Sequence, residues 1–574
     1  MMNTFKATDE PIRLQEHREI DEYLSRLQAN KEKWARLSLQ NKCQLLQQIG
    51  QNLAAQAAHW VAEANAARQI APDSLWAAEE WYEIFTVARA LHDYTASLAL
   101  LDQGVQPRPR KVWTRPDGQV VAQVFPADLY DYLLFNGISS EVWMQPEVTV
   151  ETLPQHTGSF YRQPQPSGAV TLILGAGNVN SIAPLDALDR LFRHAQVALL
   201  KLSPVNAYLQ PLLEAIFAPM IRAGFLAIIT GDANIGNYLV HHPAVDEIHV
   251  TGSAETYQAI VSNQRNGDLR SPDAPKPITA ELGGVTPVIV LPGQWTAADI
   301  RFQAENIATM KLYNCGFNCI SAQLLVLPEQ WPQKQELVTA VQQVMQSLPP
   351  QYAYYPGVAQ RLQAVQQVYP EAVQLGREAA RTIIPTAAVS ESSDYCRRTE
   401  FFGPMLAVMT LPGETAVSFL QNAVTLCNQS VAGTLGIDLI ASPDVLKTEA
   451  AAIDTAVAAL KYGTIGLNVW CGLGYRITQN PWGAFQSPDA GDVGSGRGVV
   501  HNTLLFDSPQ KTVLRGRFRP FPRSWRHGDP AFMPKPPWFV THRQRLTTAR
   551  RVARFALNPG YLRLPGIFAA ALRG

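Results

Sequence analysis

The segment NCGFNCIS carries the strongest candidate for chemistry in this sequence, because it places Cys319 in a turn that contains Gly316. A cysteine thiolate is a strong nucleophile that can form a covalent intermediate with an electrophilic carbon. A thiol near its usual pKa is mostly protonated at neutral pH, so such a site must favour the thiolate or supply a base. The alternative is a small buried residue with an inert thiol, which is the common fate of a cysteine.

The elements that would position this cysteine alternate between strand and helix. From Gly168 onwards, short apolar runs predict buried strands at AVTLILGA, VALLKLS, LAIITG and EIHVTGS. Segments with apolar residues at helical spacing separate these runs, so the chain predicts a parallel sheet with helices on both faces. Sheets of this kind bind ligands at the carboxyl ends of their strands.

A second alternating region follows the segment ELGG and continues to about Leu460. It predicts a long helix through ADIRFQAENIATMKL, and Cys319 lies where this helix ends. The N-terminal part of the chain has apolar residues at helical spacing and predicts helices. Between Gln119 and Pro166 the texture changes to short β-prone runs, QVVAQVF, EVTVETL and GSFYRQ, which predict strands or a protruding hairpin.

The segments that contain Glu281 and Cys319, and the spacing between them, resemble the active-site motifs of the aldehyde dehydrogenase superfamily. In that family a glutamate in an ELGG motif and a cysteine in an N-x-G-Q-x-C motif face each other across the active site. The segment ITAELGG contains Glu281, and Asn314, Gly316 and Cys319 match the second motif, in which Phe317 replaces the usual Gln. The segments VDEIHVTGSAE, EFFGP and GTIGLNVW resemble further family blocks in the family's order, and the resemblance covers about Gln119 to Val500.

The resemblance implies a role for each matching residue. Cys319 would be the nucleophile and Glu281 the general base, while Asn178 has the family's spacing for the oxyanion donor before the cofactor lysine. The residues that would bind the cofactor are Lys201, Ser203, Gly252, Ser253, Glu400 and Phe402. The residues themselves leave other roles open: Glu281 could be a solvated carboxylate, Lys201 an exposed lysine, and Asn178 a turn residue whose place Asn180 takes.

The implied reaction is the oxidation of an aldehyde to a carboxylic acid. The Cys319 thiolate would attack the aldehyde carbon, hydride would pass to NAD or NADP, and water activated by Glu281 would release the acid from the thioester. One alternative is an acylating, coenzyme A-dependent dehydrogenase or fatty acyl reductase, which the segment GAGNVN faintly resembles. Another is a catalytically silent homologue that serves as a binding or structural protein.

The choice of cofactor stays open in the sequence. In the family, a glutamate three residues after the cofactor lysine accepts from the adenosine ribose 2′-hydroxyl and repels a 2′-phosphate, whereas this chain has Pro204 there. Without that carboxylate, NADP is not excluded by charge, so either NAD or NADP is expected. Cys315 would lie on the same helical face as Cys319, where a neutral packing role is favoured over a redox partnership.

The resemblance also implies the fold, an α/β architecture with a Rossmann-type cofactor domain, an α/β catalytic domain and a β oligomerisation arm near residues 140–165. Such arms bridge subunits in the family, so a homo-oligomer is expected. The predicted organisation is an N-terminal helical part (1–118), a β segment with the arm (119–167), a cofactor-binding domain (168–280), a catalytic domain (281–465), a return to the cofactor domain or arm (466–510) and a basic extension (511–574).

Composition limits the class of protein. The 574 residues are 47% hydrophobic and 17% charged, which predicts several packed domains. The formal net charge of +0 gives no general reason to expect a nucleic acid partner. The cysteines show neither a disulfide framework nor metal-ligand spacing, and the N-terminus does not resemble a secretory signal, so a cytoplasmic protein without a metal is expected.

The segment from Lys511 to the end is strongly basic, with Asp529 as its one acidic residue. It combines arginines with aromatic residues, as in RFRPFPRSWRH, and predicts one basic amphipathic helix at TTARRVARFAL. Such a segment could lie at an anionic membrane surface as a peripheral contact. The favoured alternative is an arm that docks on the acidic body of the protein or on another subunit.

Overall fold

Three long helices form the N-terminal part of the chain, as predicted. In the computed structural model, which describes residues 9–266, 275–376, 381–385, 391–486 and 493–574, these helices are α1 (Asp9–Ala35), α2 (Leu39–Ala67) and α3 (Ala78–Asp102). Ser38 caps α2 by accepting a hydrogen bond from the backbone N–H of Asn41 at 3.3 Å. The expectation that no secretory signal is present concerns in part residues 1–8, which lie outside the described residues.

A small antiparallel sheet follows. It consists of β1 (Lys111–Thr114), β2 (Val120–Phe125) and β3 (Ser139–Met144), with α4 (Leu129–Leu134) between the last two strands.

The prediction of strands at EVTVETL and GSFYRQ was wrong. Single turns of 3₁₀ helix occupy Leu153–His156 and Ser159–Arg162 instead. The hydroxyls of Thr149 and Thr152 accept hydrogen bonds from each other's backbone N–H groups at 3.2 Å and 2.9 Å. Such local bonds compete with strand pairing and stabilise a turn.

The predicted βαβ alternation forms a parallel sheet. Its strands are β4 (Val170–Leu174), β5 (Val197–Lys201), β6 (Leu226–Ile229), β7 (Glu247–Gly252) and β8 (Ile278–Leu282). The connecting helices are α5 (Ile182–Leu188), α6 (Gln210–Ile216), α7 (Ala218–Ala223), α8 (Ala233–His241) and α9 (Ala254–Asn266). The strand order reverses between β4 and β7, which is the position where sheets of this topology bind ligands.

The next part of the chain builds a second sheet. Its strands are β9 (Thr286–Val290), β10 (Ala322–Pro328), β11 (Val373–Gln374), β12 (Thr382–Pro385), β13 (Met405–Leu411), β14 (Gly436–Ile440) and β15 (Thr464–Leu467). The helices are α10 (Ala297–Leu312), α11 (Lys334–Ser347), α12 (Val358–Val368), α13 (Glu391–Arg398), α14 (Ala416–Ser430), α15 (Pro443–Thr448) and α16 (Ala450–Ala459). The boundary predicted between residues 280 and 281 falls inside β8, because that strand pairs with β7 in the first sheet.

The remaining elements return to both sheets. They are α17 (Leu473–Arg476), β16 (Pro481–Trp482), β17 (Gly496–Arg497), β18 (Val500–His501), β19 (Pro509–Arg515), α18 (Arg523–Arg526), α19 (Arg545–Leu557) and α20 (Leu564–Ala571). β17 pairs with β8, which completes a six-stranded sheet in the order β17-β8-β7-β4-β5-β6.

β19 connects the small antiparallel sheet to the second sheet. It pairs in parallel with β15 and in antiparallel with β3, which gives an eleven-stranded sheet in the order β1-β2-β3-β19-β15-β14-β9-β10-β13-β12-β11. β3, at the start of the segment predicted as the arm, therefore lies on the chain's own second sheet. The predicted start of the extension at residue 511 falls inside β19, so the extension proper follows Arg515.

The C-terminal extension docks on the body of the chain, which is the alternative that the sequence favoured. Helix α19 packs on α3. Arg519 donates to the two carboxylate oxygens of Asp299 at 2.7 Å and 2.8 Å, and Arg523 donates to Asp299 Oδ1 at 2.8 Å. Lys535 pairs with Glu305 at 2.7 Å. Within the described residues, no helix combines the length and the apolar character needed to cross a membrane.

Candidate active site

A large cleft opens at the carboxyl ends of the strands of the first sheet, with a volume of about 1160 Å³. The turns that follow β4, β5, β7 and β8 line one side, and residues near the second sheet line the other. All the site residues that the sequence predicted border this cleft: Asn178, Lys201, Ser203, Gly252, Ser253, Glu281, Cys319, Glu400 and Phe402. The tertiary structure therefore brings together residues from both halves of the chain.

The candidate nucleophile Cys319 follows an unusual turn at the end of α10. Asn314 and Cys315 have φ values of 52° and 53°, and Gly316 follows with a φ of 76°. This left-handed conformation costs a non-glycine residue about 1–2 kcal/mol, so tertiary contacts must hold the turn. Because the chain is not α-helical here, the prediction that Cys315 and Cys319 share a helical face was wrong. Cys315 is buried, whereas Cys319 is partly exposed.

The side chain of Asn314 ties this turn to the loop after β4. Its amide donates hydrogen bonds to the carbonyl oxygens of Asn178 at 2.8 Å and Phe317 at 3.0 Å. The amide of Asn178 also donates to the Phe317 carbonyl at 3.0 Å. Asn178 and the nucleophile turn thus form one hydrogen-bonded unit at the edge of the cleft.

Asn178 rather than Asn180 faces the cleft. The side chain of Asn180 is fully buried and donates to Glu80 at 3.1 Å and to the hydroxyl of Tyr208 at 2.9 Å. It is therefore committed to packing behind the loop. An amide carries two N–H groups, so Asn178 keeps one beyond its bond to Phe317.

Glu281 lies at the end of β8 and is 4% exposed. Trp482 donates its indole N–H to Oε1 of Glu281, while Oε2 has no hydrogen-bond partner among the described residues. Burial raises the pKa of Glu281 well above its usual value, and the nearby carboxylate of Asp186 raises it further. Glu281 is thus a buried carboxyl with an increased affinity for a proton and with one oxygen that has no partner among the described residues.

The surroundings of Cys319 disfavour the thiolate. Burial raises the pKa of its thiol well above the usual value, and the carboxylates of Glu281 and Glu400 raise it further. The thiol is therefore mostly protonated at neutral pH, and its activation requires a base or a positive charge nearby.

Lys201 and Ser203 occupy the end of β5 and the turn after it. Burial lowers the pKa of Lys201, and Asp232 opposes this shift. Pro204, at the position where the family has a glutamate, also borders the cleft. A Cβ on Gly177 would stand 2.5 Å from Oγ of Ser203, so the loop after β4 approaches this turn closely.

Gly252 and Ser253 lie between β7 and α9. A Cβ on Gly252 would have no heavy atom within 4 Å, so the protein itself leaves that space open. Ser253 accepts a hydrogen bond from the backbone N–H of Thr256 at 3.2 Å. Ala254 and Thr256, at the N-terminal end of α9, border the cleft, and the positive dipole end of this helix suits a phosphate group.

Glu400 lies across the cleft against Gly283. A Cβ on Gly283 would be 2.2 Å from Oε2 of Glu400, so the carboxylate occupies the space where any other residue would have a side chain. Burial raises the pKa of Glu400 to about 8, while a backbone hydrogen bond from Gly284 and the charge of Lys311 oppose the shift. Phe402 packs against Phe317 and Tyr355, with ring centroids 5.9 Å and 4.9 Å apart.

Two buried residues next to the site side chains, Trp482 and Lys311, are not indicated by the sequence. Trp482 is 201 positions from Glu281, and no local pattern links the two. Lys311 lies in the predicted helix before the nucleophile, but its buried bonds to the carbonyls of Gly403 at 2.9 Å and Met405 at 3.1 Å appear only in the fold.

A second, apolar cavity of about 240 Å³ lies between α3, α17 and the C-terminal extension. Its lining includes Phe85, Leu133, Leu473, Trp538 and Val552. Leu473 of α17 lines this cavity. Its neighbour Gly472 lies against Ile320, the residue after Cys319, because a Cβ on Gly472 would lie 2.7 Å from Cδ1 of Ile320.

Comparison with known proteins agrees with this architecture. The chain is similar to a coniferyl aldehyde dehydrogenase of Pseudomonas sp. (strain HR199 / DSM 7063), with 26% identity over 289 residues that cover 47% of this chain and 56% of the relative. It is also similar to a geranial dehydrogenase of Castellaniella defragrans, with 26% identity over 307 residues that cover 49% of this chain and 56% of the relative. The chain thus spans little more than half the length of these curated relatives.

A solved structure extends the likeness over most of the chain. The aldehyde dehydrogenase KauB from Pseudomonas aeruginosa superposes with a TM-score of 0.58 and 16% identity, covering 87% of this chain and 88% of that one. This confirms the predicted fold class. The sequence model of the aldehyde dehydrogenase family matches residues 197–503, which include Glu281, Cys319 and Glu400. The chain belongs to the aldehyde dehydrogenase family.

Proposed function

We propose that this protein oxidises an aldehyde to a carboxylic acid, with hydride transfer to NAD or NADP. The observation that carries the proposal is the convergence of Cys319, Glu281 and Asn178 on the cleft that Lys201, Gly252 and Glu400 also border. Residues 168–280 would bind the cofactor, and the part of the chain that contains Cys319 would perform the chemistry.

The Cys319 thiol first loses its proton to solvent water. The sulfur then forms a bond to the aldehyde carbon, and the π electrons of the carbonyl move to its oxygen, which becomes the oxyanion of a thiohemiacetal. The free amide N–H of Asn178 and the backbone N–H of Cys319 donate to that oxygen, and loss of one such donor costs about 2.7–4 kcal/mol. When bound, the nicotinamide accepts the hydride that leaves the former aldehyde carbon, so that a thioester remains on Cys319.

Glu281 performs the second half of the reaction. Its Oε2, unpaired among the described residues, takes a proton from water, whose oxygen attacks the thioester carbon. The C–S bond breaks, the acid is released, and the leaving sulfur takes the proton back from Glu281. The raised pKa of this carboxyl makes it a stronger base than an exposed glutamate once it is deprotonated.

The residues present fit a dinucleotide. The end of α9 offers N–H groups to a phosphate, the open space beside Gly252 admits a ligand, and Glu400 is placed to accept from a ribose hydroxyl. Because Pro204 offers no carboxylate, both NAD and NADP are compatible with this end of the cleft.

A panel of aliphatic, aromatic and semialdehyde substrates, read at the nicotinamide absorbance with both cofactors, tests the proposal. We expect turnover by the wild type and none by Cys319→Ala. Glu281→Gln should release one equivalent of reduced cofactor and then slow by about 10²–10⁴-fold, because the thioester forms but is not hydrolysed. No turnover with any member of the panel, together with a Cys319 that iodoacetamide does not label, would favour the silent binding protein.

The acylating reaction is the second candidate. Thioester breakdown measured with and without coenzyme A separates the two, because acceleration by coenzyme A without free acid would overturn the hydrolytic proposal. The buried Glu281 with its free oxygen favours hydrolysis.

We further propose that the preferred aldehydes carry an aromatic or hydrocarbon side chain. The apolar cavity beside α17 supports this choice, since its lining is aromatic and aliphatic. Leu133→Trp, which fills the cavity, should lower kcat/KM for large apolar aldehydes and leave that for a small aldehyde such as propanal unchanged. Equal losses for both substrates would contradict the apolar preference.

We also propose that the protein is a homo-oligomer and acts in the cytoplasm. β1 is an edge strand of the eleven-stranded sheet, with partly exposed residues that another copy could cover. The six cysteines are all free thiols, which suits a reducing compartment. Sedimentation equilibrium of the full chain tests the oligomer, and a mass equal to one chain at micromolar concentration would refute it.

The docked extension keeps apolar and basic side chains exposed, and we propose that these make a peripheral contact with a membrane. Leu562 is 97% exposed and Tyr561 is 60% exposed. Both are close in sequence to three exposed arginines, Arg550, Arg551 and Arg554. Each such cation contributes about 1 kcal/mol at an anionic surface. We expect the full chain to sediment with phosphatidylserine vesicles and to lose this property when Leu562→Ser is combined with glutamine at the three arginines. Absence of wild-type sedimentation would leave docking as the role of the extension.

A further inference from the structure

The strained turn before Cys319 requires support from outside itself. Asn314 has φ 52° and ψ 40°, and Cys315 has φ 53° and ψ 24°. Two consecutive non-glycine residues in this region persist only where the surrounding structure over-determines them. The contacts that hold the turn therefore also decide where Cys319 lies.

One of these contacts is a buried carboxylate on α3. The backbone N–H of Asn314 donates to Oε2 of Glu79 at 3.0 Å. A hydrogen bond to an ionised acceptor is roughly twice as strong as one between neutral groups. Glu79 thus fixes the backbone of the residue whose side chain binds the Asn178 carbonyl.

The charge of Glu79 in turn depends on the C-terminal extension. Glu79 is 2% exposed, and this burial raises its pKa, which Arg545 opposes. Arg545 is itself fully buried and donates to Oε1 of Glu79 at 3.0 Å. Its guanidinium also lies 5.0 Å from the ring centroid of Tyr313, which begins the turn.

We propose that Arg545, acting through Glu79, is a positioning residue that holds the turn Tyr313–Gly316 and so places Cys319 and Asn178 for reaction. The connection runs from the Arg545 guanidinium through the Glu79 carboxylate to the Asn314 N–H, and from the Asn314 amide to Asn178. Arg545 and Glu79 both lie outside residues 197–503, the part that the family model matches. Only the turnover readout of this inference rests on the proposed function.

A purely structural role of Arg545 predicts different behaviour. If the residue only fastened α19 to α3, its loss would lower thermal stability and leave the intrinsic reactivity of Cys319 unchanged in the folded enzyme. If it positions the turn, the reactivity of Cys319 and kcat must change while the protein remains folded.

The test compares Arg545→Met, Glu79→Gln and the double variant with a matched control, Arg543→Met. Arg543 is exposed and lies in the same extension. For each full-length variant we would measure melting temperature, kcat and KM, and the rate at which iodoacetamide alkylates Cys319, located by mass spectrometry. Arg545→Lys serves as the conservative variant.

We expect Arg545→Met to lower kcat about tenfold or more, because small displacements of catalytic groups cost up to about 10²-fold, with little change in the KM for the cofactor. The rate at which its Cys319 is alkylated should differ from the wild-type rate by at least about threefold. Arg545→Lys should bring kcat and the alkylation rate part of the way back to the wild-type values, and Arg543→Met should match wild type in both. The double variant should be no slower than Glu79→Gln, because coupled residues are not additive.

An Arg545→Met enzyme that folds and matches Arg543→Met in kcat and alkylation rate would overturn the proposal. If Arg545→Met does not fold, Glu79→Gln decides the question, since it keeps the shape of the side chain and removes its charge. If the wild type oxidises no aldehyde, the proposed function fails, but the alkylation comparison still tests the positioning role.

Discussion

The indole N–H of Trp482 donates to Oε1 of Glu281, and this bond fixes the orientation of a carboxyl whose other oxygen is free within the described structure. The bond lowers the pKa of Glu281, whereas burial and Asp186 raise it. The proton affinity of the candidate base is thus a balance between these opposing effects.

Trp482→Phe should therefore shift the pH profile of acid release. Removal of the donor raises the pKa of Glu281 further, so the deprotonated form appears only at higher pH. We expect the rising limb of the profile to move up by about one pH unit, since hydrogen bonds to charged groups contribute about 1.5–3 kcal/mol. Trp295→Phe is the control, because the indole nitrogen of Trp295 has no partner in the described part of the chain. An unshifted profile would show that the bond does not tune the base.

The reactivity of Cys319 should depend on the charge of Glu400. The pKa of Glu400 is raised to about 8, so this group is neutral at lower pH and gains its charge above that value. Once charged, it raises the pKa of the Cys319 thiol. Glu400→Gln should therefore alkylate at the wild-type rate near neutral pH and increasingly faster than wild type as the pH rises through about 8. A constant ratio of the two rates across this range would contradict the coupling.

Gly252 and Gly283 should respond differently to substitution by alanine. A Cβ at Gly252 meets no protein atom within 4 Å, so Gly252→Ala should keep the wild-type melting temperature and weaken cofactor binding by about tenfold, or about 1.4 kcal/mol. A Cβ at Gly283 would lie 2.2 Å from Oε2 of Glu400, so Gly283→Ala, unlike Gly252→Ala, should displace a protein group, the Glu400 carboxylate. Calorimetric titration with NAD and NADP measures the first effect, and unchanged affinity in Gly252→Ala would show that the cofactor does not occupy this space.

The ion pairs of Asp299 should stabilise the docked extension in a pH-dependent manner. Burial raises the pKa of Asp299, but hydrogen bonds from Arg519 and Thr296 outweigh it and lower this pKa to about 2, against an unfolded value of about 3.9. A carboxyl with a depressed folded-state pKa stabilises the protein above its unfolded pKa, and this contribution disappears as the pH falls towards about 2. Asp299→Asn should therefore destabilise the protein by about 2–3 kcal/mol at neutral pH and by progressively less below about pH 4.

Thermal unfolding of Asp299→Asn at several pH values measures this dependence. Asp454→Asn is the matched control, because Asp454 also pairs with an arginine, Arg115, but its side chain is 44% exposed. Such an exposed pair contributes at most about 1 kcal/mol. Equal losses in the two variants would contradict the importance of burial.

The local pattern of the sequence predicted most of the elements that build the cleft. Apolar runs predicted the strands β4, β5, β6 and β7, and apolar residues at helical spacing predicted α10. These predictions succeeded because buried parallel strands and core helices each require a continuous apolar pattern. The motifs around Glu281 and Cys319 also indicated the family, which its sequence model confirms. The roles of the individual residues stay predictions.

Local pattern failed where hydrogen bonds that it does not report decided the conformation of a segment or the sheet that a strand joins. The run EVTVETL has β-prone residues but forms turns, because threonine hydroxyls satisfy its backbone locally. The boundaries predicted at residues 281 and 511 fall inside β8 and β19, two strands of sheets that other parts of the chain complete.

The sequence by itself determined which residue types are available for chemistry and the strands and helices that carry them. Only the tertiary structure decided that Trp482 binds Glu281 and that Arg545 binds Glu79, pairs that lie 201 and 466 positions apart. Periodicity reports which face of an element is buried, whereas a contact between distant side chains depends on how all the elements pack. The same packing holds Asn314 and Cys315 in a backbone conformation that their own sequence disfavours.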